Sequence, residues 1–93
     1  MLSDKNLSVT SSIRLDRRLY TVGKLRMISG LYMIKLDDGV EFIVALSDGD
    51  EVVYRVLNSH GDAIRLFETL YEAEVDTASF DGIADDLLYN NIL

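Results

Sequence analysis

In the first two thirds of the chain, apolar residues alternate with polar ones, which is the pattern of half-buried β-strands. This alternation predicts five strands, over residues 7–15, 19–28, 31–36, 40–46 and 51–57. After residue 57 the apolar period lengthens to about 3.6 residues, the spacing of one helix face. Two helices are therefore predicted, over residues 62–73 and 78–89, with Thr77 as the N-cap of the second.

Glycine, aspartate and serine mark the predicted turns. Asp37-Asp38-Gly39 is the strongest hairpin signal, because Asp-Gly tolerates the positive φ angles of a tight turn. The same device recurs at residues 47–50, and further turns are predicted at Asp16-Arg17 and Ser29-Gly30. The apolar positions change face near Gly23, which predicts a β-bulge there.

These elements predict an α+β fold in a single domain spanning residues 1–93. We expect an antiparallel β-meander of about five strands in residues 7–57, followed by two C-terminal helices in residues 62–89 that pack on one sheet face. Residues 1–6 are predicted to be loose.

Composition narrows the class of protein. The chain has 93 residues, of which 48% are hydrophobic, and this suits one domain with one core. It contains no cysteine, which excludes disulfides and thiolate chemistry. No stretch resembles a signal peptide or a membrane span. We therefore expect a soluble cytoplasmic protein with no membrane partner.

Charge is distributed unevenly along the sequence. Residues 1–35 carry seven basic and two acidic side chains, a net charge of +5, whereas residues 36–93 carry fourteen acidic and two basic ones, a net charge of −12. No basic residue follows Arg65. Such polarity selects and steers binding partners without performing chemistry itself.

The candidates for catalysis and metal binding are weak. His60 could act as a general base in a small hydrolase or nuclease, but the sequence offers it no nucleophile or orienting partner, so a helix-entry or surface role is favoured. Asp48, Asp50 and Glu51, or Asp85 with Asp86, match only fragments of a cation site. No glycine-rich phosphate loop occurs. We predict no enzyme, no catalytic residues, no cofactor and no metal.

A basic cluster near the N-terminus could contact phosphates; it consists of Arg14, Arg17, Arg18, Lys24 and Arg26, with Tyr20 among them. The net charge of −7 and the pI near 4.4 oppose this, because the whole chain would repel nucleic acid at long range. We therefore expect no direct nucleic-acid binding, and pairing of these bases with acidic helices or with another copy is the alternative.

The acidic C-terminal region is the more suggestive candidate. Acids three or four residues apart share a helix face and repel one another, so a compensating role is expected. They either keep the protein soluble or imitate a row of phosphates for a basic partner. The predicted partner-binding residues are Glu68, Glu72, Glu74, Asp76, Asp81, Asp85, Asp86 and Tyr89.

Three segments of the second half, at residues 62–70, 74–77 and 83–88, resemble an uncharacterised family of short Gram-positive bacterial proteins. In that family a strand-rich start is followed by a helix, a pivot containing valine and an acidic last helix. The resemblance covers about a third of the chain and implies no function. In size, acidity and plan the chain is also similar to several small phage anti-CRISPR proteins, an analogy of shape and charge.

Three functions are consistent with the sequence. The favoured hypothesis is a non-enzymatic protein-binding module, an inhibitor or regulator that mimics nucleic acid and presents acidic helices to a basic partner such as a nucleic-acid-binding protein or nuclease. The first alternative is a homo-oligomeric structural or accessory domain that pairs a basic hairpin with the acidic helices of another copy. The second is a small hydrolase or nuclease that uses His60 and carboxylates.

Overall fold

The computed structural model describes residues 9–89 as an antiparallel sheet followed by two helices, which confirms the predicted α+β class. The strand order is β1-β2-β3-β4, so each strand pairs with its neighbour in the chain, and β1 and β4 form the two edges. The predicted first strand began at residue 7, and that start and residues 1–6 lie outside the described residues. The elements are β1 (Val9–Val22), β2 (Leu25–Leu36), β3 (Gly39–Ser47), β4 (Val52–Leu57), α1 (His60–Glu72) and α2 (Phe80–Tyr89).

The prediction of five strands is wrong, because the first three predicted strands form two long ones. Residues 9–22 make β1, and residues 25–36, which include the end of the second predicted strand, make β2. Asp16-Arg17, where a turn was predicted, lies within β1 at a register shift against β2. The chain instead turns at Gly23, which was predicted to be a bulge and has a φ of 61°. Glycine adopts this left-handed conformation without a steric cost, so the turn forms there. A β-bulge accommodates the extra residue of β1 without ending the strand.

Ser29-Gly30 also forms no turn. Both residues are buried in the middle of β2, where they pair with Arg18 and Arg17 of β1. The Ser29 hydroxyl lies 3.5 Å from the Arg18 carbonyl oxygen, and the Tyr32 ring covers Gly30 so closely that a Cβ there would lie 2.7 Å from the Tyr32 Cε1 atom. Small residues are required here by packing between neighbouring side chains and backbone.

The two turns predicted from aspartate and glycine are present. Residues 37 and 38 connect β2 to β3, and residues 48–51 connect β3 to β4. In the second turn, Oδ1 of Asp48 accepts hydrogen bonds from the backbone N–H groups of Asp50 (3.0 Å) and Glu51 (2.9 Å). An aspartate that binds the backbone two or three residues ahead stabilises a tight turn.

Both helices lie on one face of the sheet and share its core. The inward side chains of β2, β3 and β4 meet four buried residues of α1 and two of α2. Among the elements of residues 9–89, none covers the opposite face of the sheet. The buried core consists of Met27, Leu31, Phe42, Val44, Leu46, Leu57, Ala63, Leu66, Phe67, Leu70, Val75, Phe80 and Ala84.

The helix ends differ slightly from the predicted ones. α1 begins at His60, where Ser59 is the N-cap and its Oγ accepts a hydrogen bond from the Asp62 N–H at 3.2 Å. α2 begins at Phe80, and Thr77 is not its N-cap. The Thr77 hydroxyl lies 3.1 Å from Asp48 Oδ2 and 3.3 Å from a Glu51 carboxylate oxygen, and its single proton is donated to one of them at a time. None of the helices within residues 9–89 is long and apolar enough to cross a membrane.

Candidate protein-binding surfaces

The predicted acidic site lies in the two helices and the connection between them, residues 60–89, which we call the helical layer. Between residues 60 and 89 the chain carries eight acidic side chains and a single basic one, Arg65. Glu68 and Glu72 are exposed on α1, and Glu74 and Asp76 lie in the connection between the helices. The remaining predicted residues, Asp81, Asp85, Asp86 and Tyr89, are exposed on α2. The structure therefore brings all eight into the two helices and their connection.

Arg55 of β4 holds two of these acids. Its Nη2 donates to Asp81 Oδ1 and its Nη1 donates to Asp85 Oδ1, each at 3.2 Å. The two aspartates are four residues apart on α2 and would repel each other without the cation between them. The Arg55 side chain is only 22% exposed, whereas Asp81 and Asp85 remain 78% and 58% exposed. The guanidinium thus fixes two carboxylates that still face solvent.

Other charged groups of the helical layer serve local structure. Oδ1 of Asp76 accepts a hydrogen bond from the Ser79 N–H at 2.9 Å and so stabilises the turn before α2. Arg65 donates to the Leu87 carbonyl oxygen at 2.9 Å and lies 3.7 Å from the Asp62 carboxylate. The acidic residues therefore differ in role, and Glu68 and Glu72 are the two on α1 whose side chains are exposed away from the Arg55 pairs.

Asp48 has an electrostatic environment of its own at the β3–β4 turn. Hydrogen bonds from the Glu51 and Asp50 backbone, together with the Thr77 hydroxyl, hold the pKa of Asp48 below its usual value. The carboxylate form is favoured because these donors satisfy its negative charge. Asp48 thus links the β3–β4 turn to the segment before α2. The turn signals in the sequence do not predict this link.

The predicted basic cluster is split between the two sides of the sheet. Arg18 lies on the helix-covered side, where its guanidinium carbon is 5.1 Å from the Phe67 ring centroid and 5.0 Å from that of Tyr71. Such cation–π contacts stabilise the docking of α1 against the edge strand. Arg14, Arg17 and Arg26 pair with residues of the opposite, uncovered side. The cluster is therefore not a single phosphate-binding surface.

The uncovered side of the sheet is apolar, and we call it the open face. Its position follows from the register, since residues directly opposite each other in an antiparallel sheet point to the same side. Val52 and Tyr54 of β4 are 65% and 61% exposed on it. The open face is formed by Tyr32, Ile34, Leu36, Ile43, Ala45, Val52, Tyr54 and Val56, with Ser12 and Glu41 at its end.

His60 is the first residue of α1, as the favoured interpretation of the sequence predicted. It is exposed, and its ring centroid lies 5.0 Å from that of Phe42 in a tilted contact. Residues 9–89 contain no group of three or more histidine, aspartate or glutamate side chains placed to hold a metal ion. His60 thus lies at the start of the helix and packs on Phe42.

Comparison with known proteins adds no relative to this picture. No protein-family model, curated protein or solved structure matches the chain. The resemblance to the Gram-positive family and the analogy to anti-CRISPR proteins remain predictions. The geometry of the two surfaces, acidic on the helices and apolar on the sheet, is therefore the basis for assigning a function.

Proposed function

We propose that the protein is a non-enzymatic binding module that presents the acidic helical layer to a basic protein, as an inhibitor or regulator. The observation that carries the proposal is the pairing of Arg55 with Asp81 and Asp85, which orders two carboxylates four residues apart while both stay largely exposed. Pre-ordered charges lose little conformational freedom on binding, so they contribute more affinity than mobile ones.

The net charge of the helical layer also supports binding to a basic protein. Residues 60–89 and Arg55 together carry eight acidic and two basic side chains, which is an excess of six negative charges. A field of one sign accelerates encounter with a partner of the opposite sign and repels nucleic acid. A basic groove that binds nucleic acid is the partner surface that this layer fits best, since spaced carboxylates can occupy the positions of phosphates.

The test is affinity capture from a bacterial lysate with three forms of the immobilised chain. Glu68→Lys with Glu72→Lys reverses charge on exposed α1 positions without breaking the Arg55 pairs. Asp37→Lys with Asp38→Lys changes the net charge equally at the exposed β2–β3 turn. Circular dichroism first establishes that both variants fold.

We expect the wild type and the turn variant to retain a basic protein that the helix variant loses, and we expect duplex DNA or high salt to release it. Each desolvated charge pair at such an interface is worth about 2 kcal/mol or more, whereas a distant turn acid contributes only screened attraction. Equal capture by all three forms, or capture that neither salt nor DNA disturbs, would reject the proposal.

A further inference from the structure

The open face is a candidate docking surface, because a contiguous apolar patch of several hundred Å² often marks an interaction site. The molecule is a slab with principal extents of 40 × 36 × 19 Å, and within the described residues 9–89 the helices cover one broad side and leave the other bare. Four strands about 4.8 Å apart and rows spanning about 20 Å give the open face a projected area of about 400 Å². This is about half of the ~800 Å² that each partner buries in a standard interface, so the area suits a weak dimer that forms at high concentration.

The cross-strand register shows how polar and apolar groups are arranged on this face. In each row one end lies on β1 and the other on β4. The β1 ends are Leu19, Arg17 and Arg14, and the β4 ends facing them across the sheet are Val52, Tyr54 and Val56, respectively. In the middle row the two central residues are Gly30 and Ala45, and the Tyr32 ring lies over Gly30 on this face.

Charges at one end of the sheet are complementary across its width. In an up-and-down meander the β1–β2 turn and the β3–β4 turn lie at the same end. The first carries Lys24 and leads to Arg26, and the second carries Asp48, Asp50 and Glu51. Basic and acidic turns therefore occupy opposite edges of the same end.

We propose that the open face is the interface of a homodimer in which a second copy packs sheet to sheet about a two-fold axis parallel to the strands. This axis lays β1 of one copy over β4 of the other and β2 over β3. Leu19 then meets Val52 of the second copy. Arg17 meets the Tyr54 ring of the second copy in a cation–π contact. Lys24 approaches Asp50 of the second copy, and the two-fold axis repeats every contact with the two copies exchanged.

The proposed axis places the exposed β2–β3 turns, which carry Asp37 and Asp38, near their own copies at the edge of the interface, where solvent screens the repulsion. The other symmetric arrangements juxtapose like charges on the face itself. A two-fold axis perpendicular to the strands would lay β1 over an antiparallel β1, so that the pair Arg14 and Arg17 would face the β1 arginines of the second copy. Edge-to-edge pairing of β1 would bring its arginines together in the same way, and charged edges of this kind prevent such pairing. The alternative in which the basic hairpin binds the acidic helices leaves the open face uncovered.

Self-association is measured by sedimentation velocity from micromolar to high-micromolar concentration. We expect the wild type to dimerise, and we expect Tyr54→Glu to weaken the dimer by about tenfold or more, because it places a charge at the centre of the interface. The matched control is Tyr89→Glu, since Tyr89 is 60% exposed but lies on α2. A monomeric wild type, or equal effects of the two substitutions, would overturn the proposal.

Charge exchange tests the orientation. Lys24→Glu and Asp50→Lys should each weaken the dimer severalfold in low salt, and the two together should restore it, because the axis pairs these residues between copies. Failure of the double variant to recover would exclude this axis. Weakening by Glu68→Lys with Glu72→Lys would instead show that the acidic helices mediate self-association, and it would overturn the assignment of the dimer interface to the open face.

Crosslinking gives an independent reading, because the chain contains no native cysteine. Arg17→Cys and Tyr54→Cys are prepared separately and treated with a short bis-maleimide, alone and mixed. The proposed axis requires crosslinked dimers in the mixture and little product from either variant alone. Crosslinking of the Arg17→Cys variant with itself, or no product in the mixture, would overturn the arrangement.

Discussion

The hydroxyl of Tyr20 donates a hydrogen bond to the backbone carbonyl of Val75 at 2.7 Å, joining the edge strand β1 to the segment that follows α1. The Tyr20 ring also meets that of Tyr71 edge to face, with centroids 5.9 Å apart. Burial, with smaller contributions from the charges of Asp76 and Glu74, raises the pKa of Tyr20 to about 12. The edge strand is thus fixed to the helical layer through a neutral phenol.

This contact predicts an alkaline transition. Because the folded-state pKa lies above the ordinary value of 10.0, the Tyr20 contribution is fully present below pH 10 and is lost as pH rises from 10 to about 12. Tyr20→Phe should lower the free energy of unfolding by about 1 kcal/mol at neutral pH. Urea unfolding of both forms measures this, and the difference between them should shrink above pH 10. A constant difference up to pH 12 would contradict the assignment.

Removing the Arg55 guanidinium should destabilise the packing of α2 on β4. Arg55→Met leaves Asp81 and Asp85 to repel each other, and we expect a loss of about 1 kcal/mol, since both carboxylates are well exposed. Arg14→Met is the control, because it removes the same charge from an exposed β1 position. Denaturant unfolding in low and high salt separates the two, and equal losses would show that only net charge matters.

The Asp48 network should be sensitive to acid. Because its folded-state pKa is lowered, the carboxylate stabilises the fold above its ordinary value of 3.8, and this contribution is lost as pH falls through the lower folded-state pKa. Asp48→Ala should therefore unfold more readily than wild type at neutral pH, with a smaller difference in strong acid. Asp50→Ala, at an exposed position in the same turn, is the control. A difference that is independent of pH would refute the role given to Asp48.

Turns and strand ends could be predicted from the sequence where the contacts that determine them are local. Asp37-Asp38-Gly39 specifies its turn within a few residues, so the β2–β3 hairpin was predicted with its correct position. The choice between bulge and turn at Asp16 and at Gly23 depends instead on pairing of β1 with β2 along their whole length, and it was predicted wrongly. Local signals cannot distinguish the two when long strands pair.

The candidate surfaces were also predictable only where the signal was local in the sequence. The acids of the helices could be found by counting charge, but the cation that fixes two of them is Arg55, which precedes Asp81 by 26 residues and Asp85 by 30. The apolar open face had a sequence signal: β4 carries apolar residues at nearly every position, which exceeds the needs of a strand with one buried face. Which side the helices cover became known only from the fold.

Two glycines provide opposite tests of packing. Gly82 lies in α2, and no atom lies within 4 Å of the place that an added Cβ would take, so Gly82→Ala should raise the free energy of unfolding by up to about 1 kcal/mol through helix propensity. Gly30→Ala should lower it, because the new Cβ would lie 2.7 Å from the Tyr32 Cε1 atom and displace that ring from the open face. Chemical denaturation measures both. If Gly30→Ala were neutral or stabilising, the Tyr32 ring would not rest on Gly30, and the packing described for this part of the open face would be wrong.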